Sequence, residues 1–259
     1  MCTLSFVDRG EVYLIGMNRD EHISRGAGRL PSIHEAPGTR AIYPDDRQGG
    51  TWLAVNEHGV TFALLNWNLL GKRPRQADFV RSRGQLIPFL ASCRTLLGVE
   101  EALSELDLNG TAPFRLFAFF GSSRQFREWC WNAVQRKALD HPWQSNHWFS
   151  SSLSDEKADR VRRRACASAW KQKDCGSAPW LLRLHSSHDG DEFGPCVHRP
   201  EVRTLSYSLI SCGWDVIELS HSLDSPCTLN PVASPEERSF AKRDPVLSTL
   251  SLARADSES

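Results

Sequence analysis

The stretch that decides the fold is MCTLSFVDRGEVYLIGMNRDE, residues 1–21. Polar and apolar side chains alternate over residues 3–6, which is the period of a half-buried strand. Residues 8–10 (DRG) predict a turn, and a returning strand follows that ends in NRDE, residues 18–21. Because the two strands of a hairpin pair side by side, the polar groups of NRDE are predicted to lie near Cys2.

Cys2 is the first candidate for a chemical role. Methionine aminopeptidase removes Met1 when the next side chain is small, so the mature chain is expected to begin with a thiol and a free α-amine on one residue. Their reference pKa values are about 8.5 and about 7.7, and together they form a nucleophile with its own base. The alternative is that Cys2 is a small core residue of the first strand.

Length, composition and charge exclude several classes of protein. A chain of 259 residues with 40% hydrophobic side chains has enough material for a large core. Lysine plus arginine equals aspartate plus glutamate at 31 each, so net charge favours neither nucleic acid nor an anionic membrane as a partner. No apolar run is long enough for a transmembrane helix, and the start does not resemble a signal peptide. We therefore expect a cytoplasmic protein without stable membrane insertion.

The eight cysteines predict no disulfide framework and no metal site. None of them forms a Cys-x-x-Cys pair, and a chain of this size needs no disulfides for stability. His185 and His188 precede three acidic residues, 189, 191 and 192, which is a pattern that also occurs by chance without a metal. The run VRRR at residues 161–164 predicts a solvated helix face opposite Val161, Ala165 and Ala169.

Strand and helix patterns alternate in blocks along the rest of the chain. Residues 24–50 predict a long loop with a short extended piece at 40–44. The predicted strands lie at residues 49–55, 60–66, 114–120, 126–132, 148–152, 196–198, 203–210 and 214–219. The predicted helices lie at residues 77–93, with Pro88 inside, 99–108, 154–170 and 180–185. Strands before and after helices favour an α+β fold of two packed sheets with helices outside.

The opening Met-Cys-Thr, the NRDE run and the segment GGTWL (residues 49–53) together resemble the NRDE family, also called the transport and Golgi organisation protein 2 family. That family is similar to N-terminal nucleophile (Ntn) hydrolases of the penicillin V acylase and bile salt hydrolase type. The resemblance implies a four-layer αββα sandwich of two antiparallel sheets flanked by helices. It is expected to form a single domain over residues 1–220, followed by a Pro/Ser-rich C-terminal extension at 221–259.

The resemblance also implies a set of catalytic residues. Cys2 would attack the carbonyl carbon, Asp20 would hold the α-amine, and Asn66 would donate to the oxyanion. Asn68 is a weaker candidate for the role of Asn66. Arg203 corresponds to an arginine that the relatives carry near the nucleophile. The alternatives are a solvated strand end at Asp20, a turn-capping role for Asn66 and a solvent-facing Arg203.

Further matches and two departures bear on substrate binding. Asn18, Arg19, Trp52 and His198 are the predicted substrate-binding residues, and His198 lies in a Cys-x-His segment similar to one in the relatives. The acylases carry arginine where this chain has Met17. They also carry asparagine where this chain has three serines, residues 150–152. Both departures weaken the expectation of efficient amide hydrolysis.

The leading functional hypothesis is a cysteine-nucleophile acylase that hydrolyses linear amide carbon–nitrogen bonds or transfers the acyl group. It needs no cofactor and no metal, and its partner is a small-molecule acyl amide or acyl-CoA. The alternative from the same family is a non-catalytic protein that binds and transports haem, lipid or acyl-CoA. Nine tryptophans and nine histidines are compatible with such a ligand pocket. A structural scaffold without a ligand is the third hypothesis. Oligomeric state is left open.

Overall fold

The computed structural model describes residues 2–68, 79–188, 192–229 and 247–255. The strands in these ranges are β1 (Cys2–Asp8), β2 (Tyr13–His22), β3 (Ser32–Ala36), β4 (Thr39–Tyr43), β5 (Leu53–Asn56), β6 (Val60–Asn66), β7 (Phe114–Phe120), β8 (Gln125–Trp131), β9 (Arg136–His141), β10 (Asn146–Ser150), β11 (Val202–Cys212), β12 (Val216–Ser222) and β13 (Ser248–Ala253). The α-helices are α1 (Leu86–Leu90), α2 (Leu96–Glu105), α3 (Asp155–Ala169), α4 (Ala178–Ser186) and α5 (Pro226–Leu229).

The strands form two antiparallel sheets. The six-stranded sheet has the order β10-β1-β2-β11-β12-β13, and the seven-stranded sheet follows the chain from β3 to β9. The predicted hairpin is the β1–β2 pair, in which Cys2 stands opposite Arg19. A turn at residues 56–59 joins β5 to β6, and its Gly59 has φ +72°, where a side chain would be strained.

The main core lies between the two sheets. Leu4, Phe6 and Ile15 from the first sheet meet Phe117 and Phe119 from the second, all of them fully buried. The rings of Phe6 and Phe119 stack with their centroids 5.1 Å apart. The predicted strand at 114–120 is β7, and both of its faces are apolar because it has a core on each side.

A helical layer covers the outer face of each sheet. Ile87 of α1 and Val99 of α2 pack with Phe62 on the outside of the seven-stranded sheet. Trp180 and Leu181 of α4 pack with Leu14 on the outside of the six-stranded sheet, together with α3. The predicted α+β class with two sheets between helices is therefore confirmed.

Several predicted elements are wrong in extent. The helix predicted from residue 77 is, in its described part, only a 3-10 turn at Arg83–Gln85 followed by α1. Pro88 has no N–H, and in the first turn of α1 that group needs no partner, whereas inside a longer helix it would interrupt the hydrogen bonds. Residues 196–198 make a single bridge, from His198 to Arg203, rather than a strand.

The chain beyond residue 220 contributes to the six-stranded sheet. β12 continues to Ser222, and β13 pairs with β12 as the edge strand. Three of the prolines expected in the C-terminal extension, at 231, 235 and 245, lie outside the described residues, and the domain boundary at 220 stays a prediction. None of the helices in the described ranges is long and apolar enough to cross a bilayer.

Candidate active site

Cys2 begins the strand at the centre of the site. β1 lies between β10 and β2, so Cys2 has Ser150 as its neighbour on one side and Arg19 on the other. Its side chain is 7% exposed and belongs to the core between the sheets. Cys2 therefore belongs to the interior of the protein and not to its surface.

The cavity beside Cys2 has a volume of about 640 Å³. Its lining mixes apolar and charged side chains, among them Trp52, Leu64, Trp67, Phe79, Arg19, Glu21, Arg25, Asp46, Arg81 and Arg83. This volume lies in the range of small-molecule sites, and the polar side chains in its wall can orient a ligand.

Strand alternation divides the NRDE run between two environments. Arg19 faces the cavity, where its guanidinium lies 4.5 Å from the centre of the Trp52 ring and donates to the carbonyl of Gly26 at 2.8 Å. Asp20 is fully buried, and its carboxylate accepts a hydrogen bond from Thr204 Oγ1 at 2.6 Å. A bulge in β11 between Thr204 and Ser206 displaces the register at this point.

Arg162 is the residue that sequence reasoning placed wrongly. The expected position was a solvated face of α3, but Arg162 is fully buried beneath Cys2. Its guanidinium donates to the carbonyl of Cys2 at 3.1 Å and to Thr3 Oγ1 at 2.9 Å, and it forms an ion pair with Asp20 at 3.4 Å. The buried face of α3 is formed by Ala158, Arg162, Cys166 and Ala169. The helical spacing of its small residues was the signal that could have included position 162.

Ser150 holds the backbone nitrogen of Cys2. That nitrogen donates to Ser150 Oγ at 3.0 Å, and it is the atom that becomes the α-amine once Met1 is removed. The adjacent Ser151 N–H donates to Asp155 at 2.5 Å, so the start of α3 fixes the end of β10. The serine run that departs from the acylase pattern thus supplies an acceptor next to the nucleophile.

The two candidate oxyanion donors differ in their surroundings. Asn66 ends β6 and lines the cavity together with Cys2. Asn68 also lines the cavity, but its side chain donates to Asp155 at 3.1 Å and its backbone N–H to the same carboxylate at 2.8 Å. Asn66 is therefore the one whose amide is available to a ligand among the described residues.

The GGTWL segment builds one wall of the cavity. A Cβ atom on Gly50 would lie only 3.0 Å from Cα of Gly84, so a side chain at position 50 would push the Gly84 backbone away by a few tenths of an ångström. Thr51 N–H donates to the carbonyl of Gly84 at 2.9 Å, which fixes the loop that carries Arg83. Arg83 lines the cavity and donates to the carbonyl of Pro113 at 3.0 Å. Sequence reasoning missed Arg83 because it fell in a predicted helix.

Burial controls the electrostatics of the site. It raises the pKa of the Cys2 thiol, and the charge of Asp20 acts in the same direction while Arg19 opposes it. Burial also lowers the pKa of Arg19 and of Arg83. The Cys2 thiol is consequently protonated at neutral pH and needs a base before it can act as a nucleophile.

Three predicted site residues lie away from the cavity lining. Asn18 is buried on the opposite face of β2, where its amide donates to the carbonyls of His185 and Pro195 at 2.9 and 2.8 Å. Arg203 is half-buried in β11, and its Nε donates to the carbonyl of Arg199 at 3.4 Å. His198 contacts two cysteines instead. Of the predicted residues, the structure brings Cys2, Arg19, Asp20, Trp52 and Asn66 together at the cavity.

A chain of polar contacts accounts for Asn18 and its neighbours. Trp170 Nε1 can only donate, so it donates to His147 Nε2 at 3.1 Å, and His147 Nδ1 must donate to Ser5 Oγ at 2.7 Å. Ser5 Oγ then donates to His185 Nε2 at 2.9 Å, and His185 Nδ1 donates to Asn18 Oδ1 at 3.0 Å. This arrangement fits two neutral histidines, and burial lowers the pKa of His147 to about 4 and of His185 to about 3.

The histidine pattern at 185 and 188 does not form a metal site among the described residues. His185 is bound to Ser5 and Asn18, and positions 189–191 lie outside the described ranges. The side chains that the structure does gather as candidate ligands are Cys196, His198 and Cys227.

Together, the two packed sheets, their outer helices and a second-position cysteine in the wall of a cavity define an αββα protein with an N-terminal cysteine site. The chain belongs to the Transport and Golgi organisation 2 family, whose model matches residues 1–178. The resemblance that the sequence motifs indicated is thereby confirmed. No curated protein matches the chain.

The solved structures that resemble this chain are remote in sequence. Penicillin V acylase from Agrobacterium tumefaciens is 9% identical with a TM-score of 0.49, over 85% of this chain and 82% of that one. A variant of conjugated bile acid hydrolase from Clostridium perfringens is 10% identical with a TM-score of 0.47, over 86% and 89%. A second variant of that hydrolase is 11% identical with a TM-score of 0.45, over 85% and 88%.

Proposed function

We propose that this chain is an N-terminal cysteine-nucleophile acylase that hydrolyses a linear amide bond or transfers the acyl group. The observation that carries the proposal is the placement of Cys2. Its thiol opens on a cavity of about 640 Å³, and its backbone nitrogen is held by Ser150 at 3.0 Å. A nucleophile and its base on one residue need such an acceptor to fix the amine relative to the thiol.

The reaction would start with the α-amine of Cys2 taking the proton of the thiol. The sulfur then adds to the substrate carbonyl carbon, and the oxyanion accepts a hydrogen bond from the Asn66 amide, a donor worth roughly 3 kcal/mol in such sites. Collapse of this intermediate breaks the carbon–nitrogen bond, and the departing amine takes the proton from the α-amine. Water attacks the resulting thioester in hydrolysis, and an acceptor amine or thiol attacks it in acyl transfer.

The arginines in the wall of the cavity suggest what the substrate carries besides its amide. Arg83 lines the cavity, and no carboxylate among the described residues lies within salt-bridge distance of it. Arg25, by contrast, is paired with Glu21 at 3.4 Å and with Asp46 at 3.0 Å. An anionic group on the substrate would form an ion pair with Arg83. We therefore expect the amide or thioester that binds in the cavity to carry a carboxylate or phosphate.

Arg19 and Arg83 in the wall of the cavity also support a second candidate function, in which the chain binds an anionic ligand without turnover. Acyl-CoA carries phosphates and haem carries carboxylates, so Arg19 and Arg83 suit either ligand as a transported molecule. In this case the affinity of the Cys2→Ala variant for acyl-CoA or haem equals that of the parent. Saturable binding by the variant with no product from either chain would favour this second function.

The test of the acylase is peptide-mapping mass spectrometry of the full chain after brief exposure to a long-chain acyl thioester. The expected result is that Met1 is absent and the acyl mass sits on Cys2 alone among the eight cysteines. Cys2→Ala should abolish the modification. Cys175→Ala is the matched control, because Cys175 is the exposed cysteine, and it should leave the modification unchanged.

Two outcomes of the mass-spectrometric test would contradict the acylase. Retention of Met1 would mean that Cys2 has no free α-amine to act as the base. Acyl mass spread over several thiols would mean that Cys2 is not a specific nucleophile. If the acyl group does sit on Cys2, amides with and without a carboxylate should then be compared. Unchanged turnover of the preferred amide by Cys2→Ala would also be decisive against the proposal.

A further inference from the structure

A cluster of metal-ligand side chains lies apart from the Cys2 cavity. Cys196 and His198 stand in the segment that leads into β11, and Cys227 stands in α5. Nε2 of His198 lies 3.3 Å from Sγ of each cysteine, and the three ligand atoms all lie within 4.8 Å of one another. Both cysteines are fully buried and His198 is partly exposed.

We propose that Cys196, His198 and Cys227 bind a divalent metal ion of the zinc class. Zinc takes thiolate and imidazole ligands in tetrahedral geometry, at about 2.3 Å for sulfur and about 2.0–2.1 Å for nitrogen. At tetrahedral angles these bonds place a sulfur and a nitrogen ligand about 3.5 Å apart. The 3.3 Å between His198 and each cysteine is close to that edge length.

Neither a disulfide nor an ion that prefers oxygen ligands fits this cluster as well. A disulfide between Cys196 and Cys227 would not explain why Nε2 of His198 lies equally close to both sulfurs. Both cysteines are free thiols in the structure. Magnesium and calcium prefer oxygen ligands, and the cluster contains none. Two sulfurs and one imidazole nitrogen are the donor set that a borderline-soft ion selects.

His188 is the candidate for a fourth ligand. Its ring centroid lies 5.0 Å from that of His198, with the two planes at 71°. Structural zinc sites have four protein ligands, whereas a site with three keeps a position for water. The metal content of a His188→Ala variant therefore separates a four-ligand site from a three-ligand one.

The bound ion would connect α5 to the segment that supports Asp20. Val197 lies between two of the ligands, and it exchanges two hydrogen bonds with Thr204, at 2.8 and 2.9 Å. Thr204 in turn donates to Asp20. The ion is thus a structural element behind the Cys2 site. Its binding does not depend on Cys2 chemistry, so the Cys2→Ala variant should bind it equally well.

The test is the zinc content of the full chain, purified with reductant, supplied with zinc and then freed of excess by gel filtration. The expected result is one zinc per chain, with a loss of most of it in Cys196→Ser and in Cys227→Ser. Cys166→Ser is the matched control, because Cys166 is buried but outside the cluster, and it should keep the full content. Circular dichroism checks that each variant is folded.

Cobalt(II) gives a measurement that needs no variant. A cobalt-loaded parent chain should show the thiolate-to-cobalt charge-transfer absorption and the intense visible bands of a tetrahedral site, and zinc should displace both. Absence of these bands together with a zinc content near zero would overturn the proposal. Metal-free protein with Cys196 and Cys227 joined in a disulfide would overturn it too, and so would uptake of copper(I) but not of zinc.

Discussion

Arg162 supports Cys2 from below: the guanidinium of the helical residue donates to the carbonyl oxygen of the strand residue at 3.1 Å, across 160 positions of the chain. The same guanidinium pairs with the buried Asp20 at 3.4 Å. One guanidinium thereby donates to the backbone carbonyl of the candidate nucleophile and neutralises the buried carboxylate of Asp20. The helical layer and the sheet are connected at the residue where chemistry is expected.

Removing the cation from this buried pair should destabilise the fold. Arg162→Met leaves the buried Asp20 carboxylate without the cation that pairs with it, a change that typically costs about 3–5 kcal/mol. Arg163→Met is the matched control, because that neighbour is exposed and should cost no more than about 1 kcal/mol. Both are measured by denaturant unfolding. Adding Asp20→Asn to Arg162→Met should recover part of the loss, and strict additivity of the two changes would contradict the coupling.

Removing the acceptor of the Cys2 nitrogen should slow acylation. Ser150→Ala leaves that nitrogen without its bond to Ser150 Oγ, which costs about 1–3 kcal/mol for a buried donor. If the lost energy falls on the transition state, acylation slows about tenfold or more, since 1.36 kcal/mol is a factor of ten. The rate of acyl-Cys2 formation measures the effect. Ser152→Ala, which also lines the cavity, is the control and should react like the parent.

Arg83 should select for an anionic substrate. Replacement by glutamine removes a charged donor, and hydrogen bonds to charged groups are worth about 1.5–3 kcal/mol, or roughly a ten- to hundredfold change. We expect kcat/KM for a carboxylate-bearing amide to fall by that factor and to stay unchanged for a neutral analogue. Arg25→Gln should have a smaller effect, because Arg25 is already paired with Glu21 and Asp46. Equal losses on charged and neutral substrates would argue against the role of Arg83.

Buried neutral histidines should make the fold sensitive to acid. The pKa of His147 is about 4 in the folded chain, and that of an unfolded histidine is about 6.5. Between these values the unfolded state binds a proton that the folded state does not, so stability falls as pH drops through that window. The loss approaches about 1.4 kcal/mol per pH unit for one histidine.

The measurement is the unfolding free energy at several pH values between neutrality and the low end of this window. His147→Gln should be less stable than the parent near neutrality, because it loses part of the Trp170 and Ser5 contacts. It should also lose less stability on acidification. A slope identical to that of the parent would contradict the assignment of a neutral, buried His147.

The sequence predicted the elements whose patterns are local. The β1–β2 hairpin follows from alternation around a turn, and its pairing alone places Arg19 opposite Cys2. β7 and β8 follow from apolar runs on either side of a turn. The strands that were missed are β3 and β9, the two edges of the seven-stranded sheet, and β13, an edge of the six-stranded sheet within the expected C-terminal extension. The side chains of β3 and β9 are largely exposed, so these strands lack the alternation that reveals a strand.

The site was predictable only where it lies on the hairpin or on the GGTWL segment. The spacing of Ala158, Cys166 and Ala169 could have placed Arg162 on the buried face of α3, but an arginine by itself predicts a solvated position, because charged side chains are almost never fully buried unless they are paired. Arg83 and the Cys196–His198–Cys227 cluster depend on loops that tertiary contacts bring together. His198 and Arg203 were expected near Cys2, but the single bridge between them turns that segment toward α5 instead.

The position of β11 has a consequence for shortened forms of this protein. β11 pairs with β2 through the NRDE run, yet it lies beyond the residues that the family model matches. A product ending at residue 178 would retain the Met-Cys-Thr, NRDE and GGTWL motifs and still leave the backbone groups of β2 open along one side. Such an uncovered strand recruits other chains edge to edge. We therefore expect that fragment to aggregate, and a fusion boundary for expression belongs after β13 and not at the end of the shared motif region.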